Sequence, residues 1–273
     1  MWRARDTRAR AEVAVKVLTD RDPASLVRFV QEQAVRLRHP HVVAPHGWVA
    51  EDDTVLLVMD LVRGESLAAL RTARGPLPDG QVATVLDQAL AGLTAVHAAG
   101  LVHRDVKPAN LLLDTAGPGP PRIRLADFGI ALPIGAPQPE VAGTDGYLAP
   151  ELAEAGPADP RQDLYALGAT GRRLRAGTGT ACPDGPLADL LATLAAADPA
   201  DRPADAPAAR RLLHHLLGGP PAPLPSLGVP THDVGADRRA AAAWSAYSRL
   251  AVWPAVWVLL FAVGAAAGWT AAR

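Results

Sequence analysis

The chain has 273 residues, a net charge of −1 and a hydrophobic share of 49%. That share is enough to build a buried core over most of its length, and a charge so close to zero gives no reason to expect nucleic acid as the main partner. The single cysteine excludes an internal disulfide framework.

The first part of the chain combines strand patterns with one helical pattern. Residues 12–18, EVAVKVL, place β-branched side chains around Lys16 and predict a strand. Residues 25–39 carry apolar side chains at rough helical spacing. The continuous apolar run in residues 53–62 is typical of a buried strand.

The clearest helix pattern lies in residues 79–100. Asp79 is placed to cap its start and Gly100 to end it. Its apolar residues recur three and four positions apart and are Val82, Val85, Leu86, Ala89, Leu90, Leu93 and Val96. With strands early in the chain and helices later, the sequence predicts an α+β architecture with a small sheet-rich half and a larger helical half.

The C-terminal part of the chain differs in composition from the rest. Residues 218–239 are rich in proline and glycine without periodicity, which predicts an extended tether. Residues 250–272 contain no charged side chain, and as a helix they would cover about 34 Å, enough for a bilayer core of roughly 30 Å. We therefore expect a single membrane span in the lipid bilayer. The alternative is a buried helix of a globular domain.

Charged residues beside the span and small residues within it predict its orientation in the membrane and its contacts with other helices. Three arginines lie in residues 238–249 and only Arg273 follows the span, so the N-terminal domain is expected on the cytoplasmic side of the cell membrane. Gly264 and Gly268 form a pattern of small residues that permits close helix contact in lipid. A homodimer through this helix is therefore a further expectation.

Polar residues that could take part in catalysis follow the long helix pattern. Asp105, Lys107 and Asn110 stand on a tight stretch just before an apolar strand pattern, and Asp127 comes later in ADFG. A carboxylate can accept or orient a hydroxyl proton, and an ammonium group two residues on can neutralise a phosphoryl group in transfer. The oxygen atoms of Asn110 and Asp127 suit Mg²⁺.

Four motifs in this chain occur in the order and spacing of one known family. They are Val13-Ala14-Val15-Lys16, then His103-Arg104-Asp105 with Lys107 and Asn110, then Asp127-Phe128-Gly129, and Ala149-Pro150-Glu151. The chain resembles the bacterial eukaryotic-type (Hanks-type) serine/threonine protein kinases, for which GTDGYLAPE and a Lys-Pro pair after the catalytic aspartate are typical. The resemblance covers residues 13–151 and implies a bilobal protein-kinase-like fold that uses ATP and Mg²⁺.

The resemblance implies a role for each matching position. Asp105 is expected to be the catalytic base, and Lys107 to steady the γ-phosphate. Asn110 and Asp127 would hold the metal ions, and Lys16 would bind the nucleotide.

The other nucleotide contacts are expected in the small lobe. Glu32 is the best candidate for the acidic partner of Lys16, or else it is a solvated helix charge. Met59 resembles the gatekeeper residue. The backbone from Asp60 to Val62 resembles the hinge that receives adenine.

Three residues of the helical lobe complete the resemblance. Asp163 resembles the helix aspartate that braces the catalytic loop, although its position also suits a simple helix N-cap. Glu151 and Arg202 would form a buried ion pair. After Gly168 the chain has less room for helices than the family normally uses, so the part of the lobe that docks substrates is expected to be reduced.

Together these features predict four segments. They are an incomplete N-lobe (1–62), a C-lobe (63–217), a linker (218–243) and a transmembrane segment (244–273). In the family a glycine-rich loop and a first strand precede the strand with the lysine, and here Met1 stands where the valine after the glycines is expected. A start codon placed at an internal valine is the favoured explanation, and a true truncation is the alternative.

Three functions remain to be weighed. The leading one is an active Ser/Thr protein kinase acting on proteins at the cytoplasmic membrane. The alternatives are a membrane-anchored pseudokinase scaffold and a small-molecule phosphotransferase of kinase-like fold. Residues 127–143 contain no Ser, Thr or Tyr, so we expect activity that needs no phosphate in this segment; Thr144 resembles the residue that shapes the substrate site.

Overall fold

A computed structural model describes residues 1–6, 9–18, 37–51, 54–138, 143–154, 156–175 and 184–225. These lie in one unit, Met1–Val234, and the remainder, Gly235–Arg273, forms a second unit outside the described residues. The predictions for Glu32 and for the apolar stretch 250–272 also lie outside them. Within the described ranges, no helix is long and apolar enough to cross a membrane.

The N-terminal part forms an antiparallel sheet. Its strands are β1 (Trp2–Asp6), β2 (Ala11–Leu18), β3 (Pro45–Glu51) and β4 (Thr54–Asp60), in the order β1-β2-β4-β3. Side chains alternate along β2, so Val13 and Val15 are buried while Ala14 and Lys16 point to the opposite face. Both predicted strands, around Lys16 and within residues 53–62, are confirmed. The glycine-rich loop concerns residues upstream of Met1, and its absence stays a prediction.

Helices dominate the rest of the described chain. They are α1 (Leu67–Arg74), α2 (Asp79–Ala98), α3 (Pro160–Arg175), α4 (Pro186–Leu194) and α5 (Ala206–Leu217). Helix α2 lies at the centre of the lobe and packs against α3 and α5. The seven apolar residues predicted to form its buried stripe are all buried, which confirms the helical period read from the sequence.

The start of α2 corrects one prediction. Pro78, and not Asp79, occupies the N-cap position, and no side chain caps the helix there. The Asp79 carboxylate instead accepts two hydrogen bonds of 2.7 Å from Arg175 at the end of α3. The guanidinium forms two parallel, charge-assisted hydrogen bonds with this carboxylate, and together these are stronger than a single hydrogen bond from a helix N–H. The predicted C-terminal end is confirmed, because the helix stops at Ala98 and Gly100 has a φ of 78°.

Short strands place the polar residues at one end of the helical lobe. They are β5 (Leu101–Val102), β6 (Leu111–Asp114), β7 (Arg122–Leu125) and β8 (Leu132–Pro133); β6 pairs with β7, and β5 with β8. The loop that contains residues 103–110 joins β5 to β6, and Asp127 follows β7. The loop before β3 is tied to β7, since Val43 N donates to Leu125 O (2.8 Å) and Leu125 N donates to His41 O (2.9 Å).

The first residues of the predicted tether pack on the helical lobe. The structure describes them up to Pro225. The hydroxyl of Thr84 in α2 donates to the carbonyl of Ala222 at 2.7 Å, and Leu224 is 3% exposed within the hydrophobic core. The buried core of the lobe therefore includes a residue beyond the end of α5.

Candidate active site

One buried carboxylate holds the loop that follows β5. Asp163, the fourth residue of α3, is fully buried and accepts hydrogen bonds from the backbone N–H groups of His103 (2.8 Å) and Arg104 (2.7 Å). The Nε2 atom of His97 lies 2.8 Å from the same carboxylate. Burial raises the pKa of Asp163, but the hydrogen bond and charge of His97, together with His103, outweigh it and hold the pKa below its ordinary value. Asp163 thus fixes the loop as an anion, as the bracing prediction requires.

Four polar side chains converge just after this anchor. The Thr144 hydroxyl donates to Asp105 Oδ1 (2.9 Å), and Lys107 Nζ donates to Thr144 Oγ1 (2.7 Å). Lys107 Nζ also lies 2.8 Å from Asp105 Oδ2, to which the Asn110 amide donates at 2.8 Å. Because both carboxylate oxygens of Asp105 are fixed by these bonds, its orientation is set before any substrate arrives.

The backbone before Asp105 adopts a conformation that is rare for its residue type. Arg104 has a φ of 68°, and Asp127 has a similar φ of 66°. Both lie in the left-handed region, although neither is a glycine. Such left-handed residues cost free energy and persist where surrounding contacts enforce them, often at functional sites. Here the contacts are those of Asp163 to the loop and of Lys16 to Asp127.

Lys16 and Asp127 meet across the two lobes. Lys16 Nζ lies 2.9 Å from Asp127 Oδ1. Burial raises the pKa of Asp127, but the charge and hydrogen bond of Lys16, with smaller effects of His103 and Gly129, bring it below its ordinary value. Asp127 is therefore an ionised carboxylate at neutral pH.

The donor set fits a divalent metal that is shared with a phosphate ligand. Asn110 uses its NH₂ group for Asp105, which leaves its amide oxygen as a ligand, and Asp127 supplies an anionic oxygen. Mg²⁺ prefers such hard oxygen donors, and it commonly uses one or two protein groups together with substrate phosphates. In the described ranges, no group of three or more His, Cys, Asp or Glu side chains is placed to hold a metal.

An apolar cluster lies beside these polar groups. Its buried members are Val43, Leu57, Met59 and Ala126, and its partly buried members include Ala14, Val62 and Leu112. The cluster joins residues of the small sheet to residues next to Asp127. Apolar side chains of this kind, next to cationic and metal-binding groups, suit a flat aromatic base attached to phosphates.

Comparison with known proteins agrees with this geometry. The family model "Protein kinase domain" matches residues 2–181. The chain belongs to the protein kinase family. It is 44% identical over 179 residues to the serine/threonine-protein kinase PkaB of Streptomyces coelicolor, with 60% of this chain and 43% of that protein covered.

Two further relatives come from Mycobacterium tuberculosis. Serine/threonine-protein kinase PknL is 40% identical over 177 residues, covering 62% of this chain and 43% of PknL. Serine/threonine-protein kinase PknA is 35% identical over 254 residues, covering 88% of this chain and 58% of PknA. The chain therefore spans about half the length of these relatives.

The structure brings together most of the residues that the sequence singled out. Asp105, Lys107 and Asn110 form one hydrogen-bonded group, and Lys16 contacts Asp127. The gatekeeper candidate Met59 and the hinge residue Asp60 end β4, and Val62 lies two residues beyond it. Met59 and Val62 belong to the apolar cluster. Glu32 lies outside the described residues, so its pairing with Lys16 stays a prediction.

The predicted ion pair of the helical lobe is confirmed. Arg202 donates two hydrogen bonds of 2.7 Å to the Glu151 carboxylate, and its side chain is fully buried. It also donates to three backbone carbonyls, those of Arg161, Ala196 and Ala197. One side chain thereby joins the APE motif to the residues that precede α5.

Backbone and side-chain hydrogen bonds hold the described part of the activation segment, residues 127–138 and 143–151. Gly135 N donates to Ala158 O at 2.8 Å, and Ala158 N donates back to Ala136 O at 2.9 Å. The amide of Gln138 donates to Gly156 O at 2.7 Å. Arg104 lies close by and donates to the carbonyl of Ile130 at 3.3 Å. The expectation of activity without phosphorylation in this segment stays a prediction.

The sequence analysis did not identify three residues that contact the proposed site residues or the apolar cluster. His97 lies in the last turn of α2, where its sequence position gives no sign of contact with Asp163. Arg124 looks like an ordinary strand charge, but it contacts the hinge residue Asp60. Leu112 could have been found, because strand alternation places it on the face opposite Leu111 and Leu113, toward the apolar cluster.

Proposed function

We propose that this chain is an active kinase that transfers the γ-phosphoryl group of ATP to Ser or Thr hydroxyls of proteins at the cytoplasmic face of the cell membrane. The observation that carries the proposal is the hydrogen-bonded group of Asp105, Lys107, Asn110 and Thr144. It places a carboxylate, an ammonium and an amide at one point, as transfer to a hydroxyl requires.

Asp105 acts on the substrate hydroxyl. Its carboxylate already accepts a hydrogen bond from the Thr144 hydroxyl, so the site has the geometry to accept one from a Ser or Thr of a protein substrate. Oriented in this way, the substrate oxygen attacks the γ-phosphorus of ATP, the bond from that phosphorus to the bridging oxygen breaks to release ADP, and Asp105 takes the hydroxyl proton. The Lys107 ammonium lies 2.8 Å from the same carboxylate, and therefore next to the place where the substrate hydroxyl receives the phosphoryl group. It neutralises negative charge on that group during transfer.

Lys16, Asn110 and Asp127 hold the nucleotide and its metal. Asn110 and Asp127 would hold Mg²⁺ through their oxygen atoms, and the ion would supply positive charge that balances the phosphates. Lys16 would offer its ammonium group to the phosphates. The ion pair between Lys16 and Asp127 keeps both groups in place. Glu32 is proposed as a second partner that orients Lys16.

The hinge receives the adenine base. Met59 is 6% exposed within the apolar cluster, and we propose that it closes the inner end of the slot that takes the base. The backbone of Asp60 to Val62 offers N–H and C=O groups to the ring edge. Val62, Ala14 and Leu112 are partly buried and supply the apolar faces.

Membrane attachment is a separate part of the proposal. It rests on the uncharged stretch 250–272 and on the arginines of 238–249 before it. Homodimer formation rests on Gly264 and Gly268. A fluorescent fusion that stays soluble after fractionation would contradict the attachment, and replacement of both glycines with leucine should lower self-association.

The central test is phosphoryl transfer from γ-labelled ATP to the chain itself and to a generic basic protein. The wild type should label Ser and Thr, and Asp105→Asn should abolish labelling. Asp184→Asn, which removes an exposed carboxylate of the same lobe, serves as the matched control and should retain it. If the wild type binds ATP but transfers nothing, the pseudokinase scaffold replaces this proposal.

A further inference from the structure

One arginine links the two walls of the proposed nucleotide slot. Arg124 lies in β7, two residues before Ala126 of the apolar cluster. Its Nη2 atom donates to Asp60 Oδ2 at 2.7 Å and to Val42 O at 2.9 Å. Its Nη1 atom lies 3.5 Å from Asp114 Oδ2 at the end of β6.

Each of these partners belongs to a different part of the fold. Asp60 ends β4 and begins the hinge, directly after Met59. Val42 lies in the loop before β3, and Asp114 lies in the hairpin with Arg124. A single guanidinium therefore fastens the hinge and the loop to the strand that leads to Asp127. The Arg124 side chain is 13% exposed and the Asp60 side chain 57%, so water reaches the contact from the Asp60 side.

The width of the slot depends on how the hinge sits relative to β7. Met59 and Val62 come from the hinge side, whereas Leu112 and Ala126 come from the hairpin of β6 and β7. A hinge that is already in place needs less ordering when the base enters, and this saving appears as affinity. The chemistry of transfer occurs at Asp105, which has no contact with Arg124 among those of the described residues.

We propose that Arg124 is a positioning residue that fixes the hinge through Asp60 and thereby sets the affinity for the adenine nucleotide. This inference rests on the proposed function, since it names a determinant of nucleotide binding at that same site. It predicts a change in KM for ATP and in nucleotide Kd, with kcat at saturating ATP held within about twofold of the wild type.

The variants separate the contact from its charge. Arg124→Met should raise the Kd for ATP about tenfold, equal to about 1.4 kcal/mol. Arg122→Met removes the same charge from the same face of β7, where Arg122 is exposed, and should leave Kd within twofold. Arg124→Lys should recover part of the affinity, because an ammonium can reach Asp60 but lacks the planar fork that also bonds Val42 O.

Asp60 provides the complementary test. Asp60→Asn should weaken ATP binding in the same direction as Arg124→Met. The double variant should bind no more weakly than Arg124→Met alone, because both changes remove one interaction. His46 Nε2 lies 3.7 Å from Asp60 Oδ1, so His46→Gln is included to show that this second neighbour is not responsible.

The experiment is a titration of the full chain with a fluorescent ATP analogue and Mg²⁺, followed by steady-state transfer assays. Binding by the wild type without transfer overturns the proposed function and leaves the Kd comparison intact. Equal Kd values for Arg124→Met and Arg122→Met overturn the inference, as does a fall in kcat alone. If Arg124→Met fails to fold in a thermal melt, Arg124→Lys and Asp60→Asn decide, and unchanged Kd in both overturns it. A wild type without nucleotide binding overturns both proposals.

Discussion

Replacing Asp163 with asparagine should separate the stability of the catalytic loop from its chemistry. The carboxylate accepts bonds from two backbone N–H groups and lies against His97, with no exposed surface. An asparagine keeps one oxygen but turns an NH₂ group toward one of these donors. The variant therefore loses one charge-assisted hydrogen bond and leaves a buried N–H without an acceptor, which together cost about 3 kcal/mol.

The consequence for thermal stability follows from the size of the domain. For a domain of this length, about 3 kcal/mol corresponds to a fall in Tm of about 6–12 °C. Activity should fall as well, because the N–H groups of His103 and Arg104 would no longer hold the loop that carries Asp105. We expect a loss in kcat of at least tenfold, with a smaller change in KM for ATP.

The pH dependence gives a second signature. The pKa of Asp163 is lowered in the folded chain, so its contribution to stability is fully present above the ordinary carboxyl pKa of about 3.9. That contribution is lost as the pH falls through the lowered value. The difference in unfolding free energy between wild type and Asp163→Asn should therefore shrink as the pH falls below about 4.

Urea and thermal unfolding followed by circular dichroism measure this difference, with Asp184→Asn as a control whose exposed carboxylate should change stability by less than about 0.5 kcal/mol. A Tm for Asp163→Asn equal to that of Asp184→Asn would refute the reasoning. So would a stability difference that does not shrink below about pH 4.

Three further predictions concern other contacts. Arg202→Met should destabilise the domain by about 3–5 kcal/mol, because it leaves the Glu151 carboxylate without its buried partner. Urea unfolding of this variant, and of the double variant that also carries Glu151→Gln, tests this. An unchanged unfolding midpoint for Arg202→Met would contradict it. Leu224→Ala should cost about 2–4 kcal/mol in the same assay, whereas a change below 0.5 kcal/mol would show that the segment after α5 does not pack in solution. Treatment with a phosphatase should leave transfer activity in place, and mass spectrometry that links activity to phosphorylated Thr144 would disprove this.

Short-range patterns in the sequence were enough to predict the strand around Lys16 and the helix α2, and to identify the polar residues of the site. The period of two around Lys16 and of three to four in α2 reflects which side chains can share one face, and the burial of Val13, Val15 and the α2 stripe follows from it. The spacing of Asp105, Lys107 and Asn110 within one loop likewise brings them together locally. The chain-wide order of four motifs supplied the family and, with it, the role proposed for Asp127.

Contacts between residues far apart in the chain were decided only by the tertiary structure. Asp79 was expected to cap α2, but it pairs with Arg175, 96 positions later, because the fold brings a guanidinium within 2.7 Å. His97 and Arg124 carry no local signal of their partners, since a histidine in a helix or an arginine in a strand usually faces solvent. Their roles depend on the packing of α2 against α3 and of β7 against the hinge. A charged side chain binds whichever opposite charge the fold leaves within reach, and sequence spacing does not encode that distance.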